Sequence, residues 1–151
     1  MVTDVIFDRE DTFGHKSTVT CVDHGIPQRW SETWIAVRIK DVNDNAPIFE
    51  HSRYFAMFDE NNSPINIITH VKAHDADEGR NGAITYSILD QMSSTNRIFS
   101  IDHTSGTIIT HVSFDYEETQ QYELVVAAVD EGDVPLTSTA TVIIDVVDVE
   151  E

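Results

Sequence analysis

Short runs in which apolar and polar residues alternate recur along the chain, and this period of two predicts β-strands. Within residues 33–40, Ile35, Val37 and Ile39 alternate with Ala36, Arg38 and Lys40, so one face of the predicted strand can be buried. A similar run at 18–23 precedes it across a turn-rich loop at 24–29. The two runs together predict a β-hairpin.

Seven further runs of the same character follow, separated by segments rich in Gly, Pro, Asn and Ser. Seven short strands with this spacing predict an all-β fold, a seven-stranded Greek-key β-sandwich of two packed sheets. In the sixth run, Tyr122, Leu124, Val126 and Ala128 share one face and are predicted to lie in the core. The seven runs cover residues 48–58, 65–74, 84–89, 97–101, 107–112, 121–129 and 137–147.

The chain contains an internal repeat. A shift of 107 positions places Phe7-Asp8-Arg9-Glu10 on Phe114-Asp115-Tyr116-Glu117, and Asp41-Val42 on Asp148-Val149. This period is too long for a solenoid and suits tandem β-sandwich domains. We therefore expect a window of a longer tandem array. It comprises the last two strands of a truncated repeat at 1–40, a linker at 41–47, a complete repeat at 48–147 and the start of the next linker at 148–151.

The apolar face of the first hairpin would normally pack against strands that residues 1–40 do not contain. Its members are Val19, Cys21, Ile35, Val37 and Ile39. Because Cys21 corresponds to Ala128 in the repeat, it is predicted to be a small buried thiol rather than a nucleophile. Trp30 and Trp34 are predicted to be hairpin or core aromatics.

Composition adds a strong negative charge. The 151 residues include 27 acidic and nine basic side chains, a net charge of −18, which argues against binding to nucleic acid or anionic membranes. No run approaches the length of a membrane span, so no direct membrane insertion of this segment is expected, and residues 1–4 show no signal-peptide pattern. The single cysteine cannot form an intrachain disulfide. Acidity can serve solubility, a halophilic surface or cation binding, and the placement of the carboxylates decides among them.

Carboxylate and amide side chains concentrate at predicted strand ends around the linker Asp41-Val42-Asn43-Asp44-Asn45-Ala46-Pro47. Calcium takes six to eight oxygen ligands, and no single loop here has the spacing of an EF-hand, so the ligands must converge from separate segments. Asp75 and Asp77 leave one predicted strand together and can turn to the same pole of the sandwich. The candidate ligands are Asp8, Glu10, Asn43, Asp44, Asn45, Asp75, Asp77 and Asp130.

These motifs together resemble those of cadherin extracellular repeats. The matching motifs are the linker, Asp-Arg-Glu at 8–10, Asp-Ala-Asp at 75–77, Ala-Val-Asp-Glu-Gly at 128–132 and Phe-Asp-Tyr-Glu at 114–117. The resemblance covers almost the whole chain and implies the immunoglobulin-like fold of that family. It also implies calcium ions, usually three, at the junction between successive repeats. The same candidate ligands would hold them, joined by the backbone carbonyls of Val42 and Asn81 and by an upstream glutamate that would precede Met1.

The resemblance implies a second, partial calcium site. In the linker that starts at 148–151, Glu150 and Glu151 stand where the first linker has Asn43 and Asp44, and this departure predicts weaker calcium binding there. The residues of the partial site are Glu60, Asp115, Glu117 and Glu151.

The function expected from the resemblance is a calcium-dependent cell–cell adhesion module whose ions rigidify the junction between tandem repeats. The expected partners are other cadherin repeats, in cis or in trans, homophilic or heterophilic, and the expected location is the extracellular part of a plasma-membrane protein. The alternative is a purely structural spacer or mechanical repeat in a large cell-surface protein. An acidic hydrolase is a remote alternative that would need a pocket with paired carboxylates outside the linker. We expect that the protein is not an enzyme.

Overall fold

The chain divides into two compact units, Met1–Val42 and Asn43–Glu151, here called unit 1 and unit 2. The structure is a computed structural model that describes residues 5–89 and 98–149. The limits inferred above for the repeats and linkers remain a prediction.

Unit 1 is built on one antiparallel hairpin. Strand β1 (Gly14–Val22) and strand β2 (Trp30–Arg38) form nine residue pairs, and both begin earlier than the alternation predicted. Asp23 closes the loop between them, because its Oδ1 accepts hydrogen bonds from the backbone N–H groups of Gly25 and Arg29, each at 2.9 Å. An aspartate that accepts local backbone bonds in this way stabilises a turn.

The prediction that Cys21 is a buried thiol is wrong, because Cys21 is exposed. On the same face, Val19, Ile35 and Val37 each keep 37–38% of their surface exposed. In the described part of unit 1 the only sheet is β1-β2, so no second sheet of that unit covers this face. Trp34 is on the hairpin, as predicted, but is exposed, with the Lys16 ammonium 4.4 Å from its ring centroid.

Unit 2 is a two-layer sandwich, which confirms the all-β prediction. Its strands are β3 (Ile48–Phe49), β4 (Arg53–Asp59), β5 (Asn66–His70), β6 (Ala73–His74), β7 (Ile84–Leu89), β8 (Phe99–Ile101), β9 (Thr107–Thr110), β10 (Gln121–Asp130) and β11 (Thr137–Val147). One layer has the strand order β4-β11-β10-β7, with β11 antiparallel to β10 and parallel to β4. The other has the order β5-β9-β8, and the short pair β3-β6 continues it because β6 follows β5 after two residues.

Two of the seven predicted strands are interrupted. The run 48–58 becomes β3 and β4, because the chain pairs with β6 in one layer and then crosses to β11 in the other. The run 65–74 becomes β5 and β6, interrupted at residues 71–72. If β3 with β4, and β5 with β6, each count as one interrupted strand, the nine described strands of unit 2 correspond to seven. Alternation reports which side chains are apolar but not which strand is the partner, so it could not show these changes of sheet.

The core lies between the two layers of unit 2. The face predicted for β10 is confirmed: Leu124, Val126 and Ala128 are at most 2% exposed. Tyr122 is half-buried, with its ring centroid 5.2 Å from that of Phe114 and 5.3 Å from that of Phe99. Apolar burial of this kind is the main favourable term in folding. Other fully buried side chains are Phe99, Phe114, Ile108, Val71, Val142 and Ile144.

One tight turn requires glycine. Gly106 joins β8 to β9 with φ at +69°, and a Cβ atom there would come 2.3 Å from the carbonyl oxygen of Val71. Only glycine adopts this conformation without strain. Asp102 caps the same turn by accepting hydrogen bonds from the N–H groups of Ser105 (2.7 Å) and Thr104 (3.1 Å).

We expect Leu124→Ala to lower the free energy of unfolding of unit 2 by about 2–5 kcal/mol, because it leaves a cavity between the layers. Val125→Ala, on the exposed face of the same strand, is the matched control and should cost much less. All four tyrosines lie in unit 2 and both tryptophans in unit 1, so urea unfolding followed by the tyrosine near-UV signal reports unit 2. Equal losses in the two variants would contradict the assignment of the core.

Candidate metal centre

Strand direction places two groups of acidic residues at opposite poles of unit 2. Asp130 ends β10 and therefore lies beside the start of β11, because the two strands are antiparallel. Glu60 follows β4 and lies beside the end of β11, because those strands are parallel. The eleven residues of β11 span roughly 33 Å at about 3.3 Å per residue. We call the pole with Asn43, Asn45, Asp77 and Asp130 the linker pole, and the pole with Glu60, Asp115 and Glu117 the far pole.

At the linker pole, Asn45 is hydrogen-bonded to Asp77. Its side-chain Nδ2 donates to Asp77 Oδ1 at 2.7 Å, and its backbone N–H donates to Asp77 Oδ2 at 3.1 Å. Asn45 Nδ2 also lies 2.9 Å from Asp44 Oδ1, and Asp75 Oδ1 accepts from the N–H of Asp77 at 2.9 Å. Four predicted ligands from two separate segments of unit 2 are therefore in direct contact.

Asn43 makes the corresponding contact with Asp130. Asn43 Nδ2 donates to Asp130 Oδ1 at 3.0 Å and to the carbonyl oxygen of Val134 at 2.9 Å. Asp130 is 2% exposed and also accepts from the N–H groups of Gly132 and Leu136, each at 2.9 Å. Asn43 Oδ1 is buried and accepts no hydrogen bond from the residues that the structure describes. One buried oxygen therefore remains available to an electron-pair acceptor.

The loop between β6 and β7 lies beside the end of β10. Its Arg80 carbonyl oxygen accepts a hydrogen bond of 3.1 Å from the N–H of Glu131, next to Asp130. Asn81, a predicted carbonyl ligand, lies in this loop together with Asp75 and Asp77. The bond between the two loops explains how residues more than 50 positions apart reach one pole.

The linker pole fits a hard cation. Its donors are carboxylate, amide and carbonyl oxygens, which are the ligands calcium prefers. Asp77 and Asp130 are 8% and 2% exposed, and neither forms an ion pair with a described Lys or Arg of unit 2. Burying a carboxylate without a compensating positive charge is unfavourable. A divalent cation would supply that charge, and the free Oδ1 of Asn43 would coordinate it.

Sequence reasoning missed Gly132 and Val134 as parts of this site. A Cβ atom on Gly132 would come 2.2 Å from Asn43 Nδ2, so a larger residue would displace the amide. The internal repeat could have revealed Gly132, because Asp23 and Gly25 stand 107 positions before Asp130 and Gly132. In both pairs the glycine N–H donates a hydrogen bond of 2.9 Å to the aspartate Oδ1. No local motif pointed to the Val134 carbonyl.

Asp8, Glu10 and Val42 belong to unit 1. Asp8 Oδ1 accepts the N–H of Glu10 at 2.9 Å, so the two carboxylates lie in one turn. Arg9, between them, forms ion pairs with Glu10 at 2.6 Å and with Asp41. The first linker residue therefore lies beside the Asp-x-Glu segment within unit 1.

The far pole brings three carboxylates together. Oxygen atoms of Glu60, Asp115 and Glu117 lie within 4.8 Å of one another, around an open depression of about 300 Å³. Glu60 is 7% exposed and accepts backbone hydrogen bonds from Tyr116 at 3.0 Å and Val149 at 2.9 Å. These two bonds lower the pKa of Glu60 from 4.5 and outweigh burial, which acts in the opposite direction. Glu151, the fourth predicted member, lies outside the described residues.

Asn62 positions the far pole, although the sequence marks it only as a turn residue. Its Oδ1 accepts from the N–H of Phe114 at 2.8 Å, and its Nδ2 donates to the carbonyl oxygen of Val112 at 3.2 Å. The neighbouring Asn61 has φ at +56° and donates its N–H to the Phe114 carbonyl oxygen at 3.0 Å. These bonds hold the segment after Glu60 against the segment that carries Asp115.

Comparisons with known proteins identify the family. The cadherin domain family matches residues 54–147. Human protocadherin beta-1 is 40% identical over 151 residues, which cover 98% of this chain and 18% of that protein. The Drosophila melanogaster protein dachsous is 39% identical over 144 residues, covering 95% of this chain and 4% of that protein. The chain belongs to the cadherin family, which confirms the resemblance inferred from the sequence, and it spans less than a fifth of these relatives.

Solved structures of cadherin repeats have the same fold. A protocadherin gammaB7 EC3-6 cis-dimer structure matches with a TM-score of 0.90 at 37% identity, over 97% of this chain and 35% of that chain. Extracellular cadherin domains 1–5 of protocadherin gamma B2 match with a TM-score of 0.91 at 33% identity, over 99% of this chain and 29% of that chain. Calcium binding is general among cadherin domains, and the far pole has acidic groups that could hold a metal ion. Within the described ranges, no helix has the length and apolarity to cross a membrane.

The lowered pKa of Glu60 predicts a pH dependence of stability in calcium-free buffer. Its folded pKa is below the unfolded value near 4.5, so its stabilising contribution is fully present above pH 4.5 and is lost as the pH falls through the folded pKa. We expect the unfolding free energy of Glu60→Gln to fall less steeply than that of the wild type below pH 4.5. The control is Glu123→Gln, which changes an exposed carboxylate on β10 and should follow the wild-type curve; parallel curves for all three proteins would contradict the prediction.

Proposed function

We propose that this chain is a calcium-dependent cell–cell adhesion module in which calcium ions rigidify the junction between unit 1 and unit 2. The observation that carries the proposal is the linker pole. There the linker amides of Asn43 and Asn45 hydrogen-bond to two buried carboxylates, Asp130 and Asp77, that have no ion-pair partner among the described cationic side chains of unit 2.

The proposed ligands come from both units. Without calcium the clustered carboxylates repel one another, and the linker samples many angles. With calcium, oxygens of both units bind the same ions, and the linker stiffens. Extracellular calcium modules bind with dissociation constants of about 10⁻⁴–10⁻³ M, so the junction would respond to extracellular calcium. The proposed ligands are Asp8, Glu10, Val42, Asn43, Asp44, Asn45, Asp75, Asp77, Asn81 and Asp130.

The far pole is proposed as a second, partial calcium site formed by Glu60, Asp115, Glu117 and Glu151. The close approach of the first three carboxylates supports it. Its position at the other end of β11 suits a head-to-tail array, because each unit could then share ions with the unit before it and the unit after it.

The proposed partners are other cadherin repeats, in cis or in trans. The protocadherin gammaB7 EC3-6 structure is a cis dimer, which supports contacts between repeats more than a purely structural spacer. The proposed location is the extracellular part of a plasma-membrane protein, as the extracellular domains among the related structures suggest. The net charge of −18 argues against nucleic acid as a partner.

An acidic hydrolase is not supported by the chemistry of the far pole. A glycosidase needs one carboxylic acid with a raised pKa to protonate the leaving group. Glu60, the buried member of the far pole, has a lowered pKa because backbone N–H groups stabilise its ionised form. We therefore propose that the chain is not an enzyme.

Asp75→Asn tests the linker pole, because it removes one charge and keeps the oxygen that accepts the Asp77 N–H. We expect wild-type protein to bind calcium and gain thermal stability, and Asp75→Asn to bind at least about tenfold more weakly, since each ligand charge contributes strongly to affinity. Calorimetric calcium titration measures this. The control is Asp133→Asn, an exposed carboxylate outside the proposed set. The proposal fails if wild-type protein shows neither calcium binding nor a thermal shift, or if all three bind equally.

Calcium should also protect the linker from trypsin. Lys40 immediately precedes Asp41 and offers a trypsin site beside the linker. We expect cleavage after Lys40 to be rapid in chelator and at least about tenfold slower in saturating calcium, because proteolysis follows local mobility. Lys40→Gln removes this site and identifies the cut, while cleavage at the exposed loop residue Arg29 serves as an internal control. Equal rates after Lys40 with and without calcium would count against rigidification.

A further inference from the structure

Strand β4 (Arg53–Asp59) lies at the edge of its sheet. Its only hydrogen-bonded neighbour among the described strands is β11, so one side of its backbone faces away from the sheet. The preceding strand β3 pairs with β6 in the other layer and does not cover this edge. Exposed strand edges offer unpaired N–H and C=O groups to another strand, and proteins usually protect them with prolines or central charges. Strand β4 contains neither.

The side chains of β4 alternate between the core and solvent. Tyr54, Ala56 and Phe58 pack against the core, whereas the intervening residues point outwards. Phe55 is 68% exposed and Met57 is 76% exposed. The outward row therefore has two large apolar residues in its centre, with a positive charge at one end and a negative charge at the other.

Those two end charges are available for pairing. Neither Arg53 nor Asp59 forms an ion pair with another residue in the described part of the chain. They are the first and last residues of the strand, on the same face. A strand with opposite charges at its two ends is complementary to an antiparallel copy of itself.

We propose that β4 is an interface for a second copy of this chain, in which two β4 strands pair antiparallel about a two-fold axis at Ala56. Arg53 of each copy then lies opposite Asp59 of the other, and Phe55 lies opposite Met57. The two four-stranded sheets would become one continuous eight-stranded sheet. The interface is isologous, since the same strand is used on both sides.

The register of this pairing is fixed by the pleat. Directly opposed residues must point to the same face of the sheet. The next possible register in either direction therefore changes the partner of every residue by two positions. A shift in one direction would place Arg53 opposite Met57 and Phe55 opposite itself, and the opposite shift would place Asp59 opposite Phe55. Only the register centred on Ala56 forms both ion pairs and uses all seven residues.

The expected dimer is weak. One seven-residue edge buries less than the roughly 1,200 Å² of a standard stable interface. Two copies, each with a net charge of −18, also repel one another, although salt at about 0.15 M screens charges beyond roughly 8 Å. The dimer should therefore appear only at high protein concentration. It uses none of the proposed calcium ligands and does not rest on the proposed function.

Sedimentation velocity of the full 151-residue chain over a concentration series tests the pairing, with calcium and with chelator. Arg53→Glu places like charges opposite each other at both ends and should raise the dimer dissociation constant about tenfold, as should Asp59→Arg. The charge-swapped double variant R53E/D59R restores both pairs and should return close to the wild-type value. Arg29→Glu, the same charge change in the loop of unit 1, should leave the constant unchanged. Phe55→Ser should weaken the dimer as well.

Hydrogen exchange distinguishes edge pairing from stacking of the exposed faces. In the dimer, amides of 53–59 should gain protection that the Arg53→Glu variant lacks. The proposal is overturned by a wild-type chain that stays monomeric at every concentration, by a dimer that Arg53→Glu leaves intact, by a double variant that stays monomeric, or by a dimer without protection at 53–59. None of these outcomes bears on calcium binding, which the Asp75→Asn titration measures separately.

Discussion

The pairing of β11 with β10 on one side and β4 on the other determines where the two acidic clusters of unit 2 lie. Antiparallel pairing with β10 places Asp130 at the start of β11, and parallel pairing with β4 places Glu60 at its end. The apolar layer that holds Val142 and Ile144 at 0% exposure fixes this register, because a slip of one residue would expose them. A chain with 27 acidic residues can thus keep two carboxylate clusters a full strand length apart.

Both poles hold their buried carboxylates by neutral donors. Asp130 accepts hydrogen bonds from backbone N–H groups and the Asn43 amide, and Asp77 accepts them from Asn45. Glu60 accepts two backbone N–H groups. Such donors favour the ionised form and leave its negative charge in place, whereas a lysine or arginine partner would cancel it. The fold therefore satisfies the hydrogen-bonding capacity of these groups while keeping them attractive to a cation.

The features that were predicted correctly from the sequence are those that depend on the local pattern of apolar and polar residues. Alternation placed β10 and its buried residues Leu124 and Val126 correctly, because the period of two reports which face is apolar. It failed for Cys21, whose burial would require a second sheet that the described part of unit 1 does not provide. The contact of Asn43 with the Val134 carbonyl joins residues 91 positions apart and involves a backbone atom, so no side-chain spacing could reveal it.

The change of sheet between β3 and β4 was also hidden from the alternation, and it has a further consequence. By leaving the β6 layer, the chain brings β4 parallel to β11, which delivers Glu60 to the far pole and leaves β4 as an edge strand. Copies of a chain this acidic repel most strongly where carboxylates cluster, at the poles. A lateral contact is therefore most favourable on a side surface with balanced charge. Strand β4 offers one Arg, one Asp and two exposed apolar residues between them, so recognition between copies can be separate from the calcium sites.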